Sequence, residues 1–243
     1  YDAFIKEQLN ERMSDDIEDN DLENIYDAAT SGTAVPADGY TIYDMAFPSP
    51  DSSIGIFKSS VVRNKLLSAS DTWRKSVGIE IKRRSSSDYV ITGPFLLREN
   101  IVKYNTKLAK CLDIISDMMK SHKASLVAGV PIDSVGEKMV IYHNRVKMSG
   151  VLQIYECLRV NGFLDESSEP VDNSYCICGS TLSMHSKSKP EHEFTPIRIL
   201  IAHSDMDKSI MDASINKFNS INNTHGVQSL IFIGSKIIKE SYD

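Results

Sequence analysis

Polar residues that could bind phosphate stand at the ends of three short apolar runs, residues 138–143, 198–202 and 228–233. They are Tyr142, His143, Asn144 and Arg145 at the first end, His203 and Ser204 at the second, and Gly234, Ser235 and Lys236 at the third. Hydroxyl, amide and cationic side chains, together with backbone N–H groups at helix starts, are the groups that hold nucleic-acid phosphates. The pattern therefore favours anion binding at these strand ends, and ordinary helix capping, which uses the same residue types, is the alternative.

A second chemically distinctive group combines two cysteines with two histidines: Cys176, Cys178, His185 and His192. Thiolate and imidazole are the ligands that structural zinc takes in proteins. The first two cysteines of such sites are usually separated by two to four residues, whereas this pair has one residue between them. The spacing therefore predicts no metal site, and zinc at these four residues is the alternative.

The charged residues are distributed unevenly along the chain. Residues 1–30 contain ten acidic residues and two basic ones, for a net charge of −8 within a chain whose total is −6. Residues 58–84 contain eight basic residues and two acidic ones, a local charge of +6 that ends in Arg83 and Arg84. Such a basic segment could bind phosphates, and a solvated helical face is the alternative interpretation.

Composition limits the class of protein. With 243 residues, of which 41% are hydrophobic and 25% charged, the chain is typical of one large or two small globular domains. It has no apolar run near the roughly 18 residues that a membrane-spanning helix needs, and no apolar signal core in its first thirty residues. Four cysteines fit a reducing compartment without disulfides, so we expect no secretion. Because no apolar run is long enough to span a membrane, we also expect no membrane partner.

The three apolar runs are predicted strands, and helical patterns lie between them. Helices are predicted from Ile101 to about Met119 with Asn100 as cap, from about Ser149 to Val160 with Gly162 as the stop, and from a Ser204–Asp207 capping box to about Phe218. Strands that alternate with helices indicate an α/β fold with a parallel sheet. The carboxyl ends of parallel strands meet at one edge, so the phosphate-binding candidates should lie together.

The remaining segments are less regular. We predict loops at 121–138 and 164–196, the latter a long insertion, because both are polar and lack periodicity. Residues 31–57 are predicted to be extended loop with a strand around 40–47, residues 58–76 largely helical, and residues 88–96 extended.

Two of the strand ends carry recognisable motifs. The run from Met139 to Arg145, followed by Met148-Ser149-Gly150, resembles motif IV of superfamily-2 helicases. Ser235, Ser241 and Asp243 have the spacing of motif V, with Ser241 in place of the usual glycine. Through these two motifs the chain is similar to the second lobe of helicase-like ATPases of large cytoplasmic DNA viruses, a group that includes the small subunit of the poxvirus early transcription factor.

The resemblance implies a second RecA-like lobe at residues 101–243, preceded by the acidic arm and a partly helical inter-lobe region at residues 1–100. It implies that the loop 142–145, Ser149 and Ser235 contact nucleic-acid backbone, and that Glu240, Ser241 and Asp243 couple this contact to ATP and Mg²⁺ in a longer parent polypeptide. It further implies DNA, the other lobe and viral transcription machinery as partners, and a location in the host cytoplasm (the viral factory) and the virion.

The chain lacks the other motifs of such motors: a G-x-x-x-x-G-K-[ST] loop, a DEAH-type acidic box and a Q-x-x-G-R-x-x-R run. These hold the triphosphate with its metal ion and supply the arginine that stabilises the transferred charge. We therefore expect this chain alone to be a catalytically inactive part of an ATPase. A non-catalytic domain that docks a viral polymerase or another protein is the alternative.

Overall fold

The structure is a computed structural model that describes residues 45, 47–50, 52–56, 66–83, 89–146, 150–188 and 190–235. By its internal contacts the chain divides into two compact units, residues 1–73 and 74–243. The domain boundary expected between residues 100 and 101 falls inside the second unit. The acidic arm at residues 1–30 lies outside the described residues.

The described part of the first unit contains a β-hairpin. Strands β1 (Phe47–Ser49) and β2 (Ser52–Ile56) pair antiparallel. The strand predicted around 40–47 thus begins only at Phe47 among the described residues. Helix α1 (Asp71–Ser76) lies in the segment predicted to be largely helical, and residues 58–65 of that segment are outside the description.

The second unit opens with a two-stranded antiparallel sheet of β3 (Glu80–Arg83) and β4 (Tyr89–Thr92). The extended segment predicted for 88–96 ends at Thr92, because Gly93 (φ 111°) turns the chain into a 3₁₀ turn at Pro94–Leu96. The Gln153 side-chain amide donates to the Ile91 carbonyl (2.7 Å) and holds β4 against a helix of the main layer.

Two helices follow, α2 (Arg98–Ile101) and α3 (Thr106–Val127). The prediction of one helix from Ile101, capped by Asn100, to about Met119 was wrong at both ends. Asn105 is the cap of α3, since its side chain accepts from the Leu108 N–H (2.8 Å). The helix continues past residue 121 because His122, a polar residue, continues the buried stripe of Met118 and Met119.

The main sheet consists of β5 (Met139–Tyr142), β6 (Ile199–Ala202) and β7 (Ile231–Gly234) in the order β5–β7–β6. Both pairings are parallel, which confirms the predicted α/β class and is consistent with a RecA-like lobe. Strand β7 starts at Ile231 and not at Gln228, because the N–H groups of Gln228 and Ser229 donate to the Asn223 side chain.

Helices α4 (Val151–Val160) and α6 (Lys208–Asn219) follow β5 and β6. Gly162 ends α4 with φ 90°, as predicted. The prediction of a Ser204–Asp207 capping box at the start of α6 was wrong. Asp207 is the cap, and its side chain accepts from the Ser209 N–H (2.8 Å). On the sheet face under α6, Phe218 packs with Phe232 and Leu200 in a buried cluster.

The segment 164–196 has structure of its own, where a loop was predicted. Residues Tyr175 and Thr181 pair across a tight hairpin, and α5 (Leu182–Ser188) follows directly. The chain then returns beside the hairpin, with Cys176 bridged to Pro196. Among the helices of the described residues, none is both long and apolar enough to cross a membrane.

Candidate functional site

The three predicted strand ends lie at one edge of the main sheet. Tyr142 and Ala202 are both paired in register with Gly234, the last residue of the central strand. The chain stays paired one residue further, since the His143 N–H donates to the Gly234 carbonyl (3.0 Å) and the Ser235 N–H to the Ala202 carbonyl (3.2 Å). The expectation of a shared edge is confirmed. We call this surface, residues 142–145, 203–204 and 234–235, the carboxyl edge.

Two histidines at the carboxyl edge make the same local hydrogen bond. The Nδ1 atom of His143 accepts from the Arg145 N–H (3.1 Å), and the Nδ1 atom of His203 accepts from the Asp205 N–H (3.2 Å). The Nδ1 of His143 also lies 3.3 Å from the Arg145 carbonyl oxygen. These contacts hold each ring against the backbone of its own loop at the strand end.

Ser235 at the end of the central strand is buried, with 2% of its surface exposed, yet its hydroxyl has no hydrogen-bond partner among the described residues. Leaving a buried hydroxyl unpaired costs about 1–3 kcal/mol. A ligand oxygen at this position would remove that cost. The neighbouring side chains of Tyr142, Asn144 and Ser204 are exposed, so this part of the edge is open to a large ligand.

The edge is mixed in charge. Arg145 is half-buried and cationic, while Asp205, directly after Ser204, is an exposed carboxylate. An anion such as phosphate is attracted by Arg145 and repelled by Asp205. The geometry therefore favours contacts with individual phosphates near β5 and β7 over a broad cationic groove.

Several predicted site residues are not located by the structure. These are Arg84, Ser149, Lys236, Glu240, Ser241 and Asp243, which lie outside the described residues, together with the side chain of Arg83. Arg83 ends β3, which belongs to a different sheet from the carboxyl edge. Its neighbour Lys82 forms an ion pair with Glu156 of α4, with 3.5 Å between Nζ and Oε2.

One residue that fixes the start of the central strand escaped the sequence analysis. Asn223 is fully buried, and its amide donates to the carbonyls of Phe218 and Ser229 (both 3.0 Å). Its Oδ1 accepts from the two N–H groups just before β7. The only signal in the sequence was a turn-rich segment, which does not distinguish this asparagine from its neighbours.

The structure brings together the two cysteines and two histidines that could bind zinc. The ligand atoms of Cys176, Cys178, His185 and His192 all lie within 4.8 Å of one another. The Cys176 Sγ is 3.7 Å from the His192 Nε2. The Nε2 of His185, a residue with 7% of its surface exposed, has no hydrogen-bond partner in the described structure. We call these four residues the Cys–His cluster.

The pKa values of Cys178 and His185 in the Cys–His cluster are shifted toward the forms that bind metal, whereas that of Cys176 is not. A hydrogen bond from the Cys176 thiol lowers the pKa of Cys178 to about 4 and raises that of Cys176. Burial lowers the pKa of His185, which favours its neutral form. A thiolate and a neutral imidazole are the forms that coordinate metal ions.

Comparison with known proteins finds viral polypeptides to which the chain is similar. No family model matches the sequence. It is 32% identical over 221 residues to the "Early transcription factor large subunit homolog" of African swine fever virus (strain Badajoz 1971 Vero-adapted), covering 85% of this chain and 18% of the relative. The homologues of isolates Tick/South Africa/Pretoriuskop Pr4/1996 and Tick/Malawi/Lil 20-1/1983 match equally, at 32% identity, with 18% and 19% of their lengths covered.

These relatives carry the name of the large subunit, whereas the sequence motifs resembled the small subunit of the poxvirus factor. The chain spans about a fifth of the length of the relatives it matches. Over 85% of its length, the chain is homologous to one segment of the early transcription factor large subunit homologue of African swine fever virus.

Proposed function

We propose that this chain is a segment of a viral early transcription factor subunit, and that its carboxyl edge contacts the nucleic-acid backbone. The observation that carries the proposal is the convergence of three parallel strand ends, each with hydrogen-bond donors, at one edge. In parallel α/β sheets this is where ligands bind. The name of the relatives supports the transcription part of the proposal.

The contacts follow from the side chains present. Arg145 provides a charge-assisted hydrogen bond, which is stronger than one between neutral groups. The imidazole rings of His143 and His203 and the hydroxyl of Ser235 add further groups that can hydrogen-bond to phosphate. Such contacts bind the backbone without reading the base sequence, so we expect this edge to position nucleic acid and leave sequence recognition to other surfaces.

DNA is the expected nucleic acid, with viral transcription machinery and the remaining lobe of the same polypeptide as protein partners. The expected location is the host cytoplasm (the viral factory) and the virion. These parts of the proposal rest on the relatives' name and on the resemblance of residues 101–243 to helicase-like ATPases.

The proposal assigns no ATP chemistry to this chain. The sequence lacks the motifs that hold a triphosphate and its metal ion. A role for Glu240, Ser241 and Asp243 in forming one wall of an ATP cleft in the parent rests on the motif V resemblance, because these residues lie outside the described part of the chain.

Fluorescence anisotropy with labelled single-stranded and duplex DNA, at two salt concentrations, tests the proposal. We expect binding at low salt that weakens as salt rises, because each neutralised phosphate releases counterions. Circular dichroism of the same sample verifies that the chain is folded. A folded chain that binds neither DNA at low salt contradicts the proposal and favours the alternative, a domain that docks another protein.

A further inference from the structure

We propose that the Cys–His cluster is a structural zinc site, with Cys176, Cys178, His185 and His192 as its four ligands. The site is separate from the carboxyl edge and does not depend on the proposed function. It holds together the segment 164–196, which the sequence alone predicted to be an irregular insertion.

The distances match a tetrahedral site that needs only a small contraction. With the usual zinc–sulfur and zinc–nitrogen bond lengths, ligand atoms lie about 3.3–3.8 Å apart, and a sulfur and a nitrogen about 3.6 Å apart. The Cys176 Sγ and His192 Nε2 atoms are 3.7 Å apart, and the largest separation in the cluster is within 4.8 Å. Side-chain rotations that move each ligand atom by a few tenths of an ångström are enough to bring the remaining distances to these values.

The ligand types select the metal. Two sulfurs and two imidazole nitrogens in tetrahedral arrangement are typical of zinc, whereas magnesium and calcium take oxygen ligands. Three of the four ligand residues are buried and His192 is half-buried. With all four positions supplied by protein, the site has no open position for a substrate, so its role is structural.

The His185 ring gives an independent indication of a missing partner. Its Nε2 is buried and has no hydrogen-bond partner among the residues that the structure describes, although the ring is packed edge-on against His192 and Phe194, with centroids 4.9 and 5.3 Å away. Buried polar atoms in proteins are almost always paired. A zinc ion between this nitrogen and the two sulfurs provides the partner.

The surroundings orient the ligands as a second layer of contacts should. The Thr195 N–H donates to the Cys176 Sγ (3.4 Å), and Ser180 hydrogen-bonds to Cys178. The hairpin carrying both cysteines is fixed to α3, because the His122 Nδ1 lies 3.3 Å from the Ile177 carbonyl. Cys178 and His192 also line an open groove of about 530 Å³, which gives an ion a path to the site.

Zinc would join three pieces of chain that lie side by side. Cys176 and Cys178 lie on the hairpin, His185 on α5 and His192 on the segment that returns toward β6. Ile177, between the two cysteines, is buried with 1% of its surface exposed, so zinc would add to the packing and backbone hydrogen bonds that already hold the segment. Metal binding then becomes part of the folding free energy of this segment.

The test is metal analysis of the purified chain after expression with added zinc and removal of loosely bound metal by gel filtration. We expect one zinc per chain by mass spectrometry of the metal content. After exchange, Co²⁺ should give the ligand-field bands of tetrahedral coordination and a thiolate-to-cobalt charge-transfer band. A folded chain that holds no zinc and gives no such Co²⁺ spectrum overturns the proposal.

Matched variants locate the site. Cys178→Ser and His192→Asn should each lose the zinc, whereas Cys111→Ser and His225→Asn, which change the same residue types outside the cluster, should retain one zinc per chain. Full zinc retention in both Cys178→Ser and His192→Asn overturns the assignment. If those variants fail to fold, limited proteolysis of the unmodified chain decides: a chelator should expose 164–196 to cleavage first, and an unchanged cleavage pattern overturns the proposal.

Discussion

At the scale of single residues, Gly162 and Gly129 occupy equivalent positions one residue after the caps of α4 and α3. Both have left-handed backbone conformations, with φ of 90° and 87°. Their surroundings differ, because a Cβ on Gly162 would lie 2.3 Å from the Asn173 carbonyl oxygen, whereas a Cβ on Gly129 would meet nothing within 4 Å.

We therefore expect Gly129→Ala to lower the free energy of unfolding by about 1–2 kcal/mol, the cost of the left-handed conformation alone. Gly162→Ala should lower the free energy of unfolding by about 1–3 kcal/mol more, because the added Cβ would overlap the Asn173 carbonyl oxygen. Urea unfolding measures both values. Equal losses in the two variants would show that the approach of Asn173 to Gly162 is not as close as the structure has it.

The buried thiol of Cys157 should make the free energy of unfolding depend on pH. Burial raises the pKa of this thiol from 9.0 to about 12. Above pH 9 the unfolded chain loses this proton while the folded chain keeps it, so the stabilisation is complete below pH 9 and is lost as the pH rises toward 12. The loss is about 1.4 kcal/mol for each pH unit in that range.

Cys157→Ser removes the titrating group but keeps a side chain that can donate to the Leu96 carbonyl, as the thiol does (3.4 Å). Between pH 8 and pH 10 the unmodified chain should therefore lose more unfolding free energy than Cys157→Ser. The measurement is chemical denaturation of both proteins at the two pH values. Parallel losses would mean that Cys157 is not shielded from solvent in the folded chain.

The carboxyl-edge residues could be predicted from the sequence because they directly follow strands, and parallel strands end at one edge. The geometry of the cysteine pair could not be predicted from spacing rules. Cys176 begins a tight turn and Cys178 lies inside it, since the Gly179 N–H donates to the Cys176 carbonyl (2.8 Å). A separation of one residue therefore still brings both sulfurs to the same place.

At the scale of elements, Asn223 fixes where β7 begins. It sits in the 3₁₀ turn Ile221–Asn223 and makes four side-chain hydrogen bonds to the backbone around the start of the strand. Its neighbour Asn222 is exposed. The two asparagines offer the same substitution at a buried and an exposed position of one turn.

Asn223→Ala leaves two carbonyls and two N–H groups of the buried turn without this partner, and each unpaired buried group costs about 1–3 kcal/mol. We expect a total loss of at least about 3 kcal/mol in unfolding free energy, and a change within about 0.5 kcal/mol for Asn222→Ala, as is usual for surface positions. Thermal or urea unfolding measures both. Similar values for the two variants would contradict the assigned role of Asn223.

The elements of the parallel sheet were the most predictable, because buried strands and amphipathic helices leave regular apolar patterns. The errors lie where a polar side chain decides a boundary. Asn105, and not Asn100, caps α3, and Asp207, and not Ser204, caps α6. Several residues of similar type stand near each helix start, and only the folded backbone determines which one reaches a free N–H.

At the scale of the whole molecule, the second unit has two separate chemical centres. The carboxyl edge carries donors for phosphate, and the Cys–His cluster carries ligands for a metal. The edge belongs to the layer that resembles a RecA-like lobe. The cluster belongs to the inserted segment, which no motif in the sequence marked as folded.

The central claim is that nucleic acid binds at the carboxyl edge and not elsewhere on the chain. Asn144 is exposed at this edge, and Asn222 is exposed in the turn before β7, near the opposite end of the sheet. Asn→Asp adds one negative charge at either position with almost no change in shape. Their DNA affinities can therefore be compared directly.

The most direct measurement is the anisotropy titration of duplex DNA with Asn144→Asp and Asn222→Asp at low salt. We predict a several-fold loss of affinity for Asn144→Asp, because the new carboxylate repels nearby phosphates. We predict little change for Asn222→Asp, because this residue precedes β7, at the other end of the sheet, and charges are screened over about 10 Å. The difference should shrink at high salt. Equal affinities of the two variants, or a larger loss for Asn222→Asp, would contradict the placement of the nucleic acid on this edge.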